Sequence, residues 1–485
     1  MVATITAEMK RRFMDEFKND ADSSGGVGSV QYYIGIGRSE DWNATDSAPT
    51  PVNTEREQRN FRHSLQSVKS ATNYSFVVPR VNWTSGTIYQ AYNDATEGHP
   101  TIPYYVVTEN NAVYLCTRQG KQSNGDAETS TVQPTGSSTK GLATSDGYRW
   151  KFLYTIGTLD ASNFKSASFI PVKLQGATTG SSPATDVEQL AIQNAAVTGD
   201  YWNNPGGRQI VGISLDSGGA GYSSAPTVTI VGDGDLTTNS GAHATAVMNA
   251  DNTSVLHCVM NDDSAGAENL LEMGQGFQFA SVAFSGSADK PAKGKVILGP
   301  QGGFGADPRN DLRSRALMFN VKPVGREDGE FQVGNSFRQI GLIRNPLQTD
   351  SASDGVSFTL SDGNCLRRLQ MAAITAPFSK DAVLAGGSSG AVAYVDSATN
   401  SGTLEIWYHQ TEETGFTQFQ ENEAITVTVG SGAGTTQATG TDGDTLAFHE
   451  PKVNKYSGDL LYVDNRAAVT RAEDQTEDIK VIIEI

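Results

Sequence analysis

Four patterns in the sequence match chemical motifs, and each lacks a part that the chemistry needs. Gly386-Gly387-Ser388-Ser389-Gly390 fits the G-x-S-x-G nucleophile elbow, which holds a serine on a strained turn between a strand and a helix. Here AVAYVD follows, a strand pattern, so the segment predicts a hairpin turn and Ser388 is not assigned as a nucleophile. Gly302-Gly303-Phe304-Gly305-Ala306-Asp307 fits one copy of a calcium β-roll nonapeptide, but calcium needs oxygens from stacked copies. A structural glycine turn is expected. The Asp-Gly-Asp triplets at 233–235 and 442–444 lack the later ligands of an EF-hand loop and read as exposed turns. His449-Glu450 begins like a zincin helix, yet Pro451 forbids that helix interior.

The remaining titratable groups add no site. The six histidines, His63, His99, His243, His257, His409 and His449, show no metal-ligand spacing, and Cys116, Cys258 and Cys365 are odd in number and far apart. There is no Walker loop and no G-x-G-x-x-G after a strand. Glu412-Glu413, adjacent on a strand, would point to opposite faces and make a poor acid/base pair. No catalytic residue, cofactor-binding residue or metal ligand is assigned, no cofactor is expected, and the chain is read as a non-enzyme.

The elements that would position any chemistry are mostly strands. A chain of 485 residues suggests roughly three domains, and 51 glycines with 17 prolines fit many turns between short strands. YSFVVPRVNW (74–83), IPYYVVTENNAVYLCTR (102–118, with a hairpin at Asn110-Asn111) and YRWKFLYTI (148–156, with Tyr148, Trp150, Phe152 and Tyr154 on one face) are the strongest strand signals. Ile5, Met9, Phe13 and Phe17 make a helical stripe expected to be core, followed by a flexible SSGGVGS at 23–29. Helical spacing also covers 54–72 (Phe61, Leu65, Val68), and a short helix capped by Asp186 is expected over 186–197. From about 208, and again over 383–440, short β runs alternate with glycine turns.

Charge bounds the partners. With 54 acidic and 36 basic residues the formal charge is −18, which argues against a phosphate-binding surface, so no nucleic acid is expected. No run of 18 apolar residues occurs, so no membrane span is expected. The amphipathic N-terminus lacks the apolar region of a signal peptide, and assembly in a reducing cytosol is the simplest reading. The sequons at Asn43, Asn73, Asn82 and Asn252 are then chance matches.

Several short blocks, in order, resemble a known virion family. They are GRSEDW (37–42), VPRVNW (78–83), VYLC (113–116), SDGYRWKFLYTI (145–156), FRQIGLIRNPL (337–347) and the tail YSGDLLYVDNRAAVTRAEDQTEDIKVIIEI (456–485). The most specific run goes from Ser457-Gly458 through Asn465-Arg466 to Asp474-Gln475-Thr476-Glu477. These are similar to the baseplate wedge subunit called gene product eight in T-even phages and their relatives. The blocks cover about a third of the chain. The resemblance implies a non-enzymatic, mostly β subunit of a contractile-tail baseplate that dimerises and docks to other wedge proteins. It also implies a role in baseplate assembly and the rearrangement that triggers sheath contraction, and a place in the virion after assembly in the host cytoplasm. Trp42, Trp83 and Trp150 are candidate core or interface anchors, and Arg466 and Arg80 candidate buried ion-pair or interface residues.

The fold class expected is mainly β: a discontinuous β-sandwich frame with a few short helices and two inserted small β modules. The expected divisions are frame 1–175, a β module with a short helix 176–310, frame 311–370, a second β module 371–449, and frame strands 450–485. The rival reading is a receptor- or carbohydrate-binding tail protein, in which Trp407, Tyr408 and Phe416 would stack on sugars.

Overall fold

The computed structural model describes residues 4–22, 30–198, 207–234, 242–260, 273–323, 336–349, 355–402, 404–437, 448–470, 472 and 475–484. Among these residues the protein is mainly β, with 41% strand and 12% helix, and has multiple antiparallel sheets. Two compact units divide the chain: residues 1–12, 75–318 and 483–485 form one, and 13–74 with 319–482 form the other. The segment 1–175 is thus shared between both units.

In the second unit the two ends of the chain meet in one sheet. Its strand order is Asp362–Asn364, Leu65–Ser70, Tyr32–Gly37, Ser336–Arg344, Asp459–Thr470. Strand Tyr32–Gly37 is buried along its whole length, and it can be because glycines thin one face. Gly35 lies opposite Gly341 in the antiparallel register. A Cβ on Gly341 would stand 2.3 Å from Cζ of Phe61, and one on Gly35 would stand 2.7 Å from Leu65. The tip of the Phe61 ring therefore rests on a strip of bare backbone. Helix Glu55–Ser64 delivers it, capped by the Thr54 hydroxyl accepting from the Glu57 N–H at 3.2 Å.

The helical spacing expected over 54–72 holds only to Ser64. Leu65–Ser70 is a strand, with Val68 opposite Gly35. Phe61, Leu65 and Val68 still share one core with Tyr33, Ile343 and Phe358; the sheet's backbone pairing overrides the local period.

The same unit carries a closed barrel. Strands Glu405–His409, Val392–Thr399, Val383–Gly386, Ala424–Val429, Ala433–Thr436 and Arg367–Ala376 pair in that order, and Arg367–Ala376 pairs again with Glu405–His409. Closure removes the exposed strand edges. The barrel is filled by residues such as Leu369, Leu384, Val395, Ile406 and Ile425.

In the first unit, Tyr105–Val107, Ala112–Arg118, Arg149–Thr155 and Gly141–Ala143 form a sheet. The hairpin expected at Asn110-Asn111 is present, with Asn111 in the left-handed region at φ 61°. Tyr148, Trp150 and Phe152 pack in one core with Tyr89 and Cys116, whereas Tyr154 donates its hydroxyl to the Pro171 carbonyl. The helix expected over 186–197 spans Ala184–Thr198, so Asp186 lies in its first turn rather than capping it. Beyond it, Ile210–Ser217 pairs with Lys293–Leu298, and Thr227–Gly232, Ala244–Met248, Val255–Met260 and Ala280–Ser285 form a four-stranded sheet; both share the core around Ile210 and Phe277.

The N-terminal helix, Ala7–Asp22, does not bury the stripe expected of it. Ile5, Met9 and Phe13 are exposed, and Met14 is the fully buried position. Phe17 packs on Tyr32 and Phe319 at 4.9 and 5.8 Å. The segment 23–29 lies outside the described residues. No helix among the described residues is long and apolar enough to cross a membrane.

The glycine strip gives a direct test. Gly341→Ala should destabilise the protein by about 1–3 kcal/mol, the usual cost of overpacking a rigid core, because the buried Phe61 ring has no room to retreat. Guanidinium unfolding would measure it, and an unchanged midpoint would contradict this packing.

Candidate functional site

A cluster of charges is buried in the second unit, around a histidine that sequence spacing did not single out. His409 ends strand Glu405–His409 and is fully enclosed, as is Asp396 from the neighbouring strand; Glu40 comes from the turn after Tyr32–Gly37. The imidazole Nδ1 lies 2.6 Å from Oδ2 of Asp396, and Nε2 lies 3.0 Å from Oε2 of Glu40. Tyr394 stacks on the ring, with centroids 5.4 Å apart. The carboxylates are themselves held: Gln66 Nε2 donates to Asp396 Oδ1 at 2.9 Å, and the Arg38 guanidinium sits 3.3 Å from Glu40.

Burial alone would lower the His409 pKa, but the Asp396 and Glu40 charges overcome it and push the group up to about 9. For Glu40, burial would raise the pKa, and His409 with Arg38 brings it below the ordinary carboxylate value. His409 is therefore an imidazolium with both N–H groups donated to carboxylates. It has no lone pair for base catalysis or for a metal. The arrangement is a charge lock, holding a barrel strand to the turn at 38–46.

That turn is pinned along its length. Arg338 ion-pairs with Asp46 at 2.7 Å and Asp41 at 2.5 Å, and donates to the Ser39 carbonyl. Arg38, at φ 62°, lays its guanidinium 4.2 Å over the Trp42 ring. Trp42 Nε1 donates to the Arg466 carbonyl at 2.9 Å. Trp42 and Trp83 are half-buried, and Trp150 is fully buried. The two arginines expected in buried ion pairs or at an interface differ. Arg466 is exposed, 3.5 Å from Asp464, and contributes its backbone carbonyl. Arg80 bonds the Asn82 amide and the Ser166 carbonyl, so its acceptors are neutral.

The motif-like segments fall where turns are needed. Ser388 lies exposed in a hairpin turn joining Val383–Gly386 to Val392–Thr399, as expected. Buried Glu423 holds that turn, accepting from the Ser388 and Ser389 N–H groups at 3.2 and 3.0 Å and from the Ser389 hydroxyl. Gly302–Asp307 is a glycine turn as expected, with Gly303 and Gly305 near φ 90°. The Gly305 N–H donates at 2.6 Å to fully buried Asp311, and Asp307 caps helix Pro308–Asp311 and pairs with Arg309. Burial pushes the Asp311 carboxyl up, and burial likewise brings nearby Lys151 down to about 8.

Asp233 accepts from the Gln278 and Phe279 N–H groups; 235 and 442–444 lie outside the described residues. His449 belongs to a short strand, Phe448–His449, opposite Arg368 and Leu369. Glu412 and Glu413 sit in a turn rather than a strand, the first paired with Arg56 at 3.0 Å and the second 3.5 Å from the Tyr394 hydroxyl. The three cysteines form no disulfide. No protein-family model and no curated protein matches the chain.

The lock sets a pH dependence. His409's pKa is raised on folding, so its contribution is full below its ordinary 6.5 and is lost as pH climbs through about 9. Glu40's is lowered, so its contribution is present above the ordinary 4.5 and fades on acidification. His409→Gln strands two buried carboxylates and should cost about 3–5 kcal/mol at pH 7. Unfolding midpoints from pH 6 to 10 should fall with pH in the wild type and stay flatter in the variant; parallel profiles would contradict the lock.

Proposed function

We propose that this chain is a structural subunit of a contractile phage tail, a baseplate wedge protein of the gene product eight type. On this reading it catalyses nothing. It docks to itself as a homodimer and to other wedge proteins, takes part in baseplate assembly and in the rearrangement that releases the sheath, and resides in the virion after assembly in the host cytoplasm.

The observation that supports the reading is the way the family-like blocks bond to one another. GRSEDW, FRQIGLIRNPL and the DLLYVDNR tail each lie more than a hundred residues from the next in sequence. Their strands are neighbours in one sheet, and their side chains interlock: Arg338 with Asp41, Gln339 Nε2 with Asn465 Oδ1 at 2.8 Å, and Trp42 with the Arg466 carbonyl. Blocks that share a common scaffold in a family would be held together in this way. A net charge of −18 suits a part that must stay dispersed before assembly.

Two measurements test it. Light scattering at micromolar concentration should give twice the chain mass. Antibody against the chain should decorate the baseplate end of purified tails from the phage that encodes it, and tails made without the chain should lack assembled baseplates. Label confined to fibres or capsid, or normal baseplates without the chain, would overturn the proposal.

A further inference from the structure

Beside the charge lock, the second unit opens into a cleft of about 630 Å³, within the ~300–1,000 Å³ typical of small-ligand sites. Two of the aromatic rings in its wall are open to solvent. Phe416 is 49% exposed and Tyr456 is 55% exposed, so each offers an open face. Neither is loose. Both rings pack on the same imidazole, His63, at 4.8 and 5.6 Å, and the Tyr456 hydroxyl is 3.0 Å from His63 Nδ1. The loop carrying Phe416 is tied to helix Glu55–Ser64 by Glu412, which pairs with Arg56 and Arg59 at 3.0 and 3.8 Å.

The polar groups of the cleft are equally fixed. Gln410 Nε2 donates to the Val392 and Thr417 carbonyls at 2.9 and 2.8 Å, which sets the plane of the amide. Arg367 and Glu450 face each other in a two-point contact of 3.3 and 3.4 Å, and both remain partly exposed. The Thr349 hydroxyl is buried in the wall without a hydrogen-bond partner, a state that costs free energy unless a ligand answers it.

We propose that this cleft binds a neutral hexose unit of an oligosaccharide. A pyranose ring has a face of C–H groups and a rim of hydroxyls. The C–H face matches an exposed aromatic ring, and the rim matches planar groups that donate and accept side by side. Glu450 neutralises Arg367, and the lysine of the lining, Lys455, is turned to the His63 carbonyl at 2.7 Å, so the cations are not gathered on one point as a phosphate ester needs. A purely apolar ligand would strand the amide, hydroxyl and ion pair. Of the residues that sequence alone offered for sugar stacking, Tyr408 and Phe416 line this cleft. Trp407 points away on the alternate face of its strand, where the Arg368 guanidinium covers it at 5.4 Å. The inference stands apart from the wedge assignment: either can fail alone.

The experiment is an array of immobilised neutral, amino and acidic hexose oligosaccharides probed with the full chain, followed by saturation-transfer NMR on the strongest binder. Binding of neutral sugars, with saturation passing to ring C–H protons, is expected. Phe416→Ala and Tyr456→Ala should each weaken it at least tenfold with unchanged circular dichroism, and Phe416→Tyr should retain it. No binding on the array, preference for acidic sugars or for inorganic phosphate, or binding indifferent to both alanine variants would overturn the proposal. If an alanine variant does not fold, chemical-shift changes at Phe416 and Tyr456 in the wild-type chain decide the point.

Discussion

The second unit is organised around a charge that cannot leave. An imidazolium enclosed at zero exposure between two carboxylates is tolerated because each of its protons meets a full negative charge. Removing His409 would take the positive charge from between two buried carboxylates, and removing either carboxylate would leave one imidazolium N–H without its acceptor, in a medium that solvates such groups poorly. The constraint spreads outward. Asp396 also holds Gln66 of the five-stranded sheet, and Glu40 holds Arg38. Arg338 repeats the device on the same turn, gripping Asp41 and Asp46. The barrel strand Glu405–His409 and the sheet strands Tyr32–Gly37 and Leu65–Ser70 are thereby fixed in one arrangement. The loop following His409, which carries Glu412 and Phe416, inherits its position from that strand.

Much of the fold was legible because local pattern and tertiary pairing agree. The hairpin at Asn110-Asn111, the turn at Gly386–Gly390 and the helix Ala184–Thr198 each have turn residues or periodicity that match the observed backbone. The stretch 54–72 shows the opposite case. Phe61, Leu65 and Val68 are spaced as one helix face, yet a chain that changes from helix to strand at Leu65 delivers the same three side chains to the same core. Period alone does not separate these solutions; the sheet edge offered by Tyr32–Gly37 does. At the N-terminus the pattern misleads about burial, since Ile5, Met9 and Phe13 are exposed.

The charge lock was not legible, and the reason is distance along the chain. His409 and Asp396 are 13 residues apart and Glu40 is 369 away, so no local spacing marks them. The only sequence trace is indirect: Glu40 falls inside GRSEDW, one of the blocks that carry the family resemblance. Within that block Glu40, Asp41 and Trp42 bond His409, Arg338 and the Arg466 carbonyl elsewhere in the unit, while the Arg38 guanidinium pairs with Glu40 and lies over Trp42. Under the proposed wedge role, such a turn gives a stiff element between moving neighbours, and the barrel, with its edges closed, adds surface without adding a strand-pairing hazard.

The most direct measurement is a double-mutant cycle on unfolding free energy at pH 7 with Glu40→Gln, His409→Gln and the pair. If the buried ion pair organises the unit, the two changes are strongly non-additive, with a coupling of about 1–3 kcal/mol. Additivity to within about 0.5 kcal/mol would mean that His409 and Glu40 are neighbours rather than partners, and would contradict a unit organised by its buried charge.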